Sequence, residues 1–412
     1  MAAIVFHLLP LATRPALIGG DEPHYALAAH SLATSGDLDL ANDYDAVEAG
    51  SPAAGEKRAG QALDRHLLEV GGREVFSHPV GLPLLTAPLL AGWRLVAGDA
   101  PPDLPLGLLT LGLTWAALVA GWRLLSDTTG SGHGAAWLVF AVYFASPLAF
   151  YSRTFFTEPY TWAFLVLAIA ALCRDRPWRA ALWLALAPAM KETALLLVGP
   201  IVLASWWIQG RSVALRAATG PLLFGIFFVG KNLLLVGQPL ATFQPFQWGN
   251  PLDGLVGLLL GPERGLLCFA PLLLLALAGF ALPRRSEEPP GLGACAALAF
   301  FGYLAISACW VDWRGGTSYG TRLLLPALPA LVIPLRRWQE RLSVRLGTWL
   351  LGGLASLGFA VALSAAVDPV PAFWGASIFE LVGGQPVAFV AGLVIASVVQ
   401  WRAAGSGFRP SL

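Results

Sequence analysis

Gly20-Asp21-Glu22-Pro23-His24-Tyr25 places two adjacent carboxylates directly after the first apolar run, Ala2 to Gly19, of a chain that elsewhere avoids charge. Of its 412 residues 56% are hydrophobic and only 12% charged, about half the charge of an ordinary soluble domain. Uncharged runs such as Leu104 to Trp122 and Leu346 to Val367 approach or reach the roughly 20 residues that cross a bilayer. Lipid offers the backbone no hydrogen-bond partners, and the alternation of a barrel is absent, so the fold class is an all-α polytopic membrane protein. Asp21 and Glu22 then lie where one crossing ends and water begins. Ionisable groups are costly there and are functional candidates by default.

The net charge of +1 gives no bulk attraction to nucleic acid. Cys173, Cys268, Cys295 and Cys309 are scattered in or beside apolar runs; their spacing supports neither a zinc ribbon nor a disulfide framework. The run Ala2 to Gly19 has no basic leader and no small-residue cleavage site, so it reads as a retained first helix that begins almost at Met1.

Hydropathy predicts about twelve crossings: 2–19, 103–123, 134–151, 158–173, 177–190, 193–208, 214–236, 265–282, 291–309, 321–335, 346–366 and 386–401. The short, proline-containing pair 177–190 and 193–208 is either one bent pair or partly re-entrant. Residues 79–98, interrupted by Pro83 and Pro88, are expected to form an interfacial helix. With the acidic first loop outside, Arg174, Arg176 and Arg179, Arg211 and Arg216, and Arg336, Arg337, Arg341 and Arg345 all fall on the inner side, as the positive-inside rule requires. The chain reads as one integral membrane domain over 1–412. Within it, 20–102 is an extracytoplasmic loop with interfacial helices, 103–335 the helical core, and 346–401 the C-terminal helices.

Polar residues with chemical capacity gather on the outer side. Asp21 is placed to cap a helix starting at Glu22–Pro23. Tyr25, Ala28, Ala29 and Leu32 would give that helix, over 22–34, an apolar stripe for the membrane surface. The pair Asp21–Glu22 reads either as a plain cap beside a solvated acid or as a fixed carboxylate able to take a proton from a hydroxyl. Asp37-Leu38-Asp39-Leu40-Ala41-Asn42-Asp43-Tyr44-Asp45 reads as a short solvated strand or turn, with a cation site as the rarer alternative. Arg73 to His78 reads as a strand ending at a histidine beside the membrane. Arg153 and Glu158 meet between two crossings, either paired with each other or free to bind an acceptor or a cation. Lys191–Glu192 breaks an apolar hairpin, either as a mutual ion pair or as a functional site.

Gly261-Pro262-Glu263-Arg264-Gly265 and Trp313-Arg314-Gly315-Gly316-Thr317-Ser318-Tyr319-Gly320-Thr321-Arg322 each precede a crossing. Amides at a helix N-terminus suit an anion. In the second segment glycines admit close approach, Arg314 and Arg322 can clamp phosphate, and Trp313 and Tyr319 can stack on a sugar or lie in the interfacial belt.

Taken with Gly36-Asp37-Leu38-Asp39-Leu40 and Ser77-His78-Pro79-Val80-Gly81-Leu82-Pro83, these segments resemble the GT-C glycosyltransferases. They are most similar to bacterial members akin to the protein O-mannosyltransferase and aminoarabinose-transferase group. The resemblance runs from Asp21 to about Pro334, with the C-terminal part matching only as further helices. It implies a polyprenyl-phosphate sugar donor, an acceptor glycan, lipid or protein, and transfer with inversion on the outer face of a bacterial inner membrane. It puts the catalytic acid at Asp21, with Glu22 beside it and Glu158 in the second loop. Lys191, Arg264 and Arg322 become candidates for the donor phosphate, with Arg314 beside them. His24, Tyr25, His78, Arg153, Trp313 and Tyr319 complete the expected substrate contacts. A divalent metal is left open, because members of this class differ in needing one. Two rival readings are a secondary transporter and a catalytically silent polyprenyl-lipid binder. The transporter would want charges near mid-bilayer and repeated halves, neither of which is visible.

Overall fold

The computed structural model describes residues 19–129, 132–240, 245–284, 288–369, 372 and 374–405. The helix expected over 2–19 lies, but for Gly19, outside them.

The first loop folds into a small layered unit. Helix α1, Glu22–Thr34, starts with Pro23 in its first turn, where the missing amide costs nothing. Asp21 occupies the cap position but makes no capping hydrogen bond; its side chain is engaged elsewhere. The surface-lying helix expected here is instead buried from Glu22 to Ala29 on every side, because alanines at 26, 28 and 29 let the helix over Gly81–Ala97 and the turn Pro52–Ala54 pack closely onto it. Helix α2, Ala41–Glu48, follows an extended segment in which the Leu40 amide donates to the Glu74 carbonyl and the Phe76 amide to that of Leu38. The acidic segment thus becomes the edge of a sheet and then a helix, not a free turn.

Strands β1, Leu67–Val70, and β2, Arg73–Phe76, form an antiparallel hairpin in register Leu67↔Phe76 and Val70↔Arg73. Gly71 and Gly72, at φ +59° and +79°, supply the two left-handed positions that a tight hairpin turn requires. Helix α3, Gly81–Ala97, runs unbroken through Pro88 and leaves Leu95 and Val96 90% and 85% exposed, an apolar surface suited to lipid.

The bundle comprises α4 (Asp103–Thr129), α5 (Thr157–Leu172), α6 (Pro177–Met190), α7 (Leu195–Gln209), α8 (Arg211–Leu235), α9 (Leu292–Cys309), α10 (Val344–Val367) and α11 (Pro386–Gly405). Helix α5 is the buried centre, packed by α4, α6 and the 3₁₀ segment Arg322–Leu331. Helix α8 crosses α6 so closely that a Cβ on Gly220 would lie 1.8 Å from the Ala181 carbonyl oxygen. Its far side, with Leu222, Leu223 and Leu234 exposed, faces outward.

Among the described residues five helices are long and apolar enough to span a bilayer, or six if the pair Ile378–Gly384 and Pro386–Val398, bent by 95°, is one span. Other expected crossings are shorter or interrupted. The 134–151 run passes through a π-helical turn at Phe140–Phe144. Pro271 divides 265–282 after Leu266–Phe269, and Pro326 and Pro329 hold 322–331 in a 3₁₀ helix. Proline removes a backbone donor and crowds the preceding turn, so continuous hydropathy does not produce a continuous helix. Arg337 is buried in a pair with Glu288 at 2.6 Å and donates to the Phe280 and Leu282 carbonyls, bracing these segments against one another.

Candidate functional site

Four charged side chains from four separate parts of the chain form a row. Asp21 lies just before α1, Glu158 in the first turn of α5, Lys191 at the end of α6, and Arg322 at the start of the 3₁₀ segment. Arg322 Nη1 donates to Asp21 Oδ2 at 3.1 Å, and its Nε lies 3.3 Å from Glu158 Oε1. Lys191 Nζ donates to the same Glu158 oxygen at 2.6 Å. Glu158 is 2% accessible at its side chain and Arg322 11%. Phe156 lies beneath the guanidinium, its ring centroid 4.8 Å from the Arg322 Cζ. Two acids and two bases balance in number, which is what makes ions tolerable at such depth. The pairings are not those of near neighbours in sequence: Glu158 takes Lys191 and Arg322, and Lys191 takes Glu158 in preference to Glu192.

The row opens into a cavity of about 710 Å³, lined by Asp21, Glu158, Lys191 and Arg322 together with His24, Tyr25, His66, His78, Glu192, Tyr303 and Trp310. Its volume lies in the range of small-molecule sites. It sits between the first-loop unit and the bundle, and Gly315, Gly316 and Thr317 of the glycine-rich turn close one side.

Burial would raise the Asp21 carboxyl, but Arg322, then His78, His66 and His24, outweigh it and hold it well below the usual carboxylate range. Asp21 is therefore ionised at neutral pH. His78 is pushed down to about 4, mainly by burial, with Asp21 acting against the shift and His66 adding to it. Burial is also the main cause that lowers His66 and takes His24 to about 2. Neutral imidazoles therefore face one ionised carboxylate.

The histidines are placed by the hairpin. His66 precedes β1 and His78 follows β2, so their rings meet at its open end with His66 Nδ1 2.8 Å from His78 Nε2. His24 stacks on His66 with centroids 3.8 Å apart, and its Nδ1 lies 2.6 Å from the Tyr44 hydroxyl. Donor atoms of Asp21, His66 and His78 all lie within 4.8 Å of one another. His66 was not among the expected site residues. The sequence signal for it is a histidine at each foot of a strand–Gly-Gly–strand pattern.

Several expected site residues lie outside the cavity lining. Glu22 is fully buried and accepts from the Phe155 amide at 2.5 Å and the Gly19 amide at 3.2 Å, so it ties the first loop to the second. Arg153 reaches the Ala366 carbonyl at 3.2 Å. Arg264 donates to the carbonyls of Arg314, Glu263 and Gly316 and so shapes the glycine-rich turn. Arg314 is exposed and stacks on Trp313 at 4.3 Å. Tyr319 is buried, its amide donating to the Tyr151 hydroxyl at 2.7 Å. The anion site expected at 261–265 is not formed as a helix N-terminus. The Gly261 and Gly265 amides are spent on the Gly257 and Gly261 carbonyls, and the helix that follows has only four residues.

No protein-family model matches the chain, nor does the sequence of any curated protein. The likeness that is found is one of fold. Over 98% of its length the chain is similar to 76% of ArnT from Cupriavidus metallidurans in the crystal structure bound to undecaprenyl phosphate, with a TM-score of 0.53 at 13% identity. The apo structure of that protein aligns over 98% of this chain and 77% of its own, with a TM-score of 0.49 and 13% identity.

Proposed function

We propose that the chain is a membrane glycosyltransferase that moves a sugar from a polyprenyl-phosphate donor to an acceptor hydroxyl, with inversion, on the extracytoplasmic face of a bacterial inner membrane. The observation that carries this reading is the row Asp21–Arg322–Glu158–Lys191 at the wall of a 710 Å³ cavity, on a fold like that of a protein crystallised with undecaprenyl phosphate. A polyprenyl phosphate is already a fair leaving group, so catalysis needs chiefly position, a base and cations. Asp21 takes the proton of the acceptor hydroxyl as its oxygen attacks the anomeric carbon. The bond from that carbon to the phosphate oxygen breaks, and Lys191 and Arg322 receive the charge on the departing phosphate. Glu158 holds both cations in place before the donor arrives. Arg264 acts at one remove, by setting the turn that bears Gly315 and Gly316.

The test is incubation of the purified protein in lipid nanodiscs with labelled polyprenyl-phosphate sugars and a membrane-glycan acceptor mixture, read by product mass. A product heavier by one sugar is the expected result, with inversion read from the anomeric proton coupling of that product by NMR. Donor binding without turnover would point to a silent lipid-binding relative and overturn the catalytic reading.

A further inference from the structure

We propose that Glu192 and Tyr25 hold the transferred sugar by its ring hydroxyls and so decide which sugar is accepted. This rests on the proposed transfer reaction and makes its donor a neutral, hydroxyl-rich sugar. Both side chains line the cavity beside Asp21, Glu158, Lys191 and Arg322. Glu192 is half-buried in the short turn Glu192–Ala194 between α6 and α7. Its neighbours on either side are already engaged. Lys191 Nζ donates to Glu158 at 2.6 Å, and Thr193 Oγ1 lies 3.0 Å from the Tyr303 hydroxyl of α9. The turn is thus pinned at both ends. Among the described residues no other side chain hydrogen-bonds or ion-pairs with the Glu192 carboxyl, which meets only its own backbone amide. An acceptor held at a cavity wall with no side-chain donor facing it is suited to the O–H of a ligand.

The Tyr25 hydroxyl supplies the matching donor. Burial, then the charges of Asp21, Glu158 and Glu192, keep it protonated far above neutral pH, and the reach of those three charges places it among the carboxylates. Its ring is held edge-on against Phe76, centroids 5.9 Å apart, while its hydroxyl makes no hydrogen bond among the described residues. A sugar hydroxyl both donates and accepts, so a vicinal pair can give one O–H to Glu192 and accept from Tyr25. The charge balance selects hydroxyls over an ammonium. Arg322 and Lys191 match Asp21 and Glu158, and Lys231 of α8 acts on Glu192 from beyond ion-pair distance. This wall therefore has no surplus negative charge to offer a cationic sugar. A site built on hydrogen bonds to hydroxyls rejects analogues that lack them, because its own polar groups are then left unpaired.

The test measures equilibrium binding to the full chain in nanodiscs, with no acceptor present. The probes are polyprenyl phosphate alone, polyprenyl phosphate carrying glucose, galactose, mannose or arabinose, and the monodeoxy and amino analogues of the sugar that binds best. In the wild type that sugar should bind more tightly than the bare lipid phosphate. One deoxy analogue should lose about 10–100-fold, the size of a hydrogen bond to a charged group. Glu192→Ala should erase the preference while leaving the affinity for bare polyprenyl phosphate unchanged, and Glu192→Gln, which keeps one acceptor oxygen, should recover part of it. Tyr25→Phe should cost about 2–10-fold. In Glu192→Ala the sensitive deoxy analogue and its parent should bind equally, closing a double-mutant cycle. The deoxy series is read on the wild type and stands even if a variant fails to fold. Equal binding of sugar-bearing and bare lipids, no weakened deoxy analogue, a Glu192→Ala loss shared by the bare lipid, or tighter binding of the amino analogue would each overturn the assignment. Turnover is not read. A protein that binds sugar this way without transferring it refutes the proposed reaction alone, and transfer with the sugar preference intact in Glu192→Ala refutes this inference alone.

Discussion

Arg322 and Asp21 are 301 positions apart in sequence, yet the guanidinium Nη1 lies 3.1 Å from the carboxylate Oδ2. The contact joins the residue just before α1 to the end of the glycine-rich turn, and it leaves Asp21 ionised in a confined space. For a base that must receive a proton in the transition state, fixed position and the correct starting charge are the two requirements.

Asp21→Asn keeps the shape of the side chain and removes its ability to take a proton. Transfer from a labelled polyprenyl-phosphate sugar should fall by about 10²–10⁴, with expression and thermal stability close to wild type. Wild-type turnover in this variant would remove Asp21 from the reaction.

Glu22 should behave in the opposite way. Its two oxygens receive the Phe155 and Gly19 amides inside the protein. Glu22→Gln keeps one acceptor oxygen and turns an NH2 toward the other amide, so it should melt somewhat earlier and yet retain activity per folded molecule. Glu22→Ala strands buried donors, at a cost of about 1–3 kcal/mol each. Thermal melting and specific activity of the two variants, measured together, separate a structural acid from a catalytic one.

Arg322→Ala leaves Asp21 facing its histidines without a guanidinium and Glu158 with Lys191 alone. Breaking a buried ion pair from one side costs roughly 3–5 kcal/mol, so the folded yield and the melting temperature should both drop. Arg322→Lys should recover only part of the loss, because a single ammonium cannot reach both acids as the fork does. Equal melting temperatures for wild type and Arg322→Ala would mean that the row contributes little to the fold.

Gly220→Ala tests the packing of the bundle. The added methyl would sit 1.8 Å from the Ala181 carbonyl oxygen, so α8 must retreat from α6. Overpacking of this kind costs about 1–3 kcal/mol. The variant should melt earlier while its donor binding, measured on the folded fraction, is unchanged.

The membrane class was legible because composition alone forces it, and Asp21, Glu158, Lys191 and Arg322 stood out because charge beside a bilayer is conspicuous. Their mutual pairing was not legible. Glu158 prefers Lys191, 33 residues away, to Arg153 close by, since helices α5 and α6 run side by side. Arg264 looked like a phosphate ligand, but a guanidinium beside a glycine-rich turn also meets bare carbonyls, and here it binds those. His66 was missed because its partner lies across a hairpin, and pairing register is a property of two strands together. The interrupted helices show the same limit: hydropathy sees the apolar run through Pro271 and Pro326, whereas the backbone follows the lost donors.

At Gly81 the start of α3 rests on the last turn of α6, so tightly that a methyl group there would lie 2.2 Å from the Ala189 oxygen. Two positions further along the chain is Lys191, and three positions before Gly81 is His78. This seat therefore sets the first-loop unit directly against the bundle, backbone on backbone. A ligand reaching the cavity meets walls already in alignment, so its binding free energy need not be spent on bringing them together.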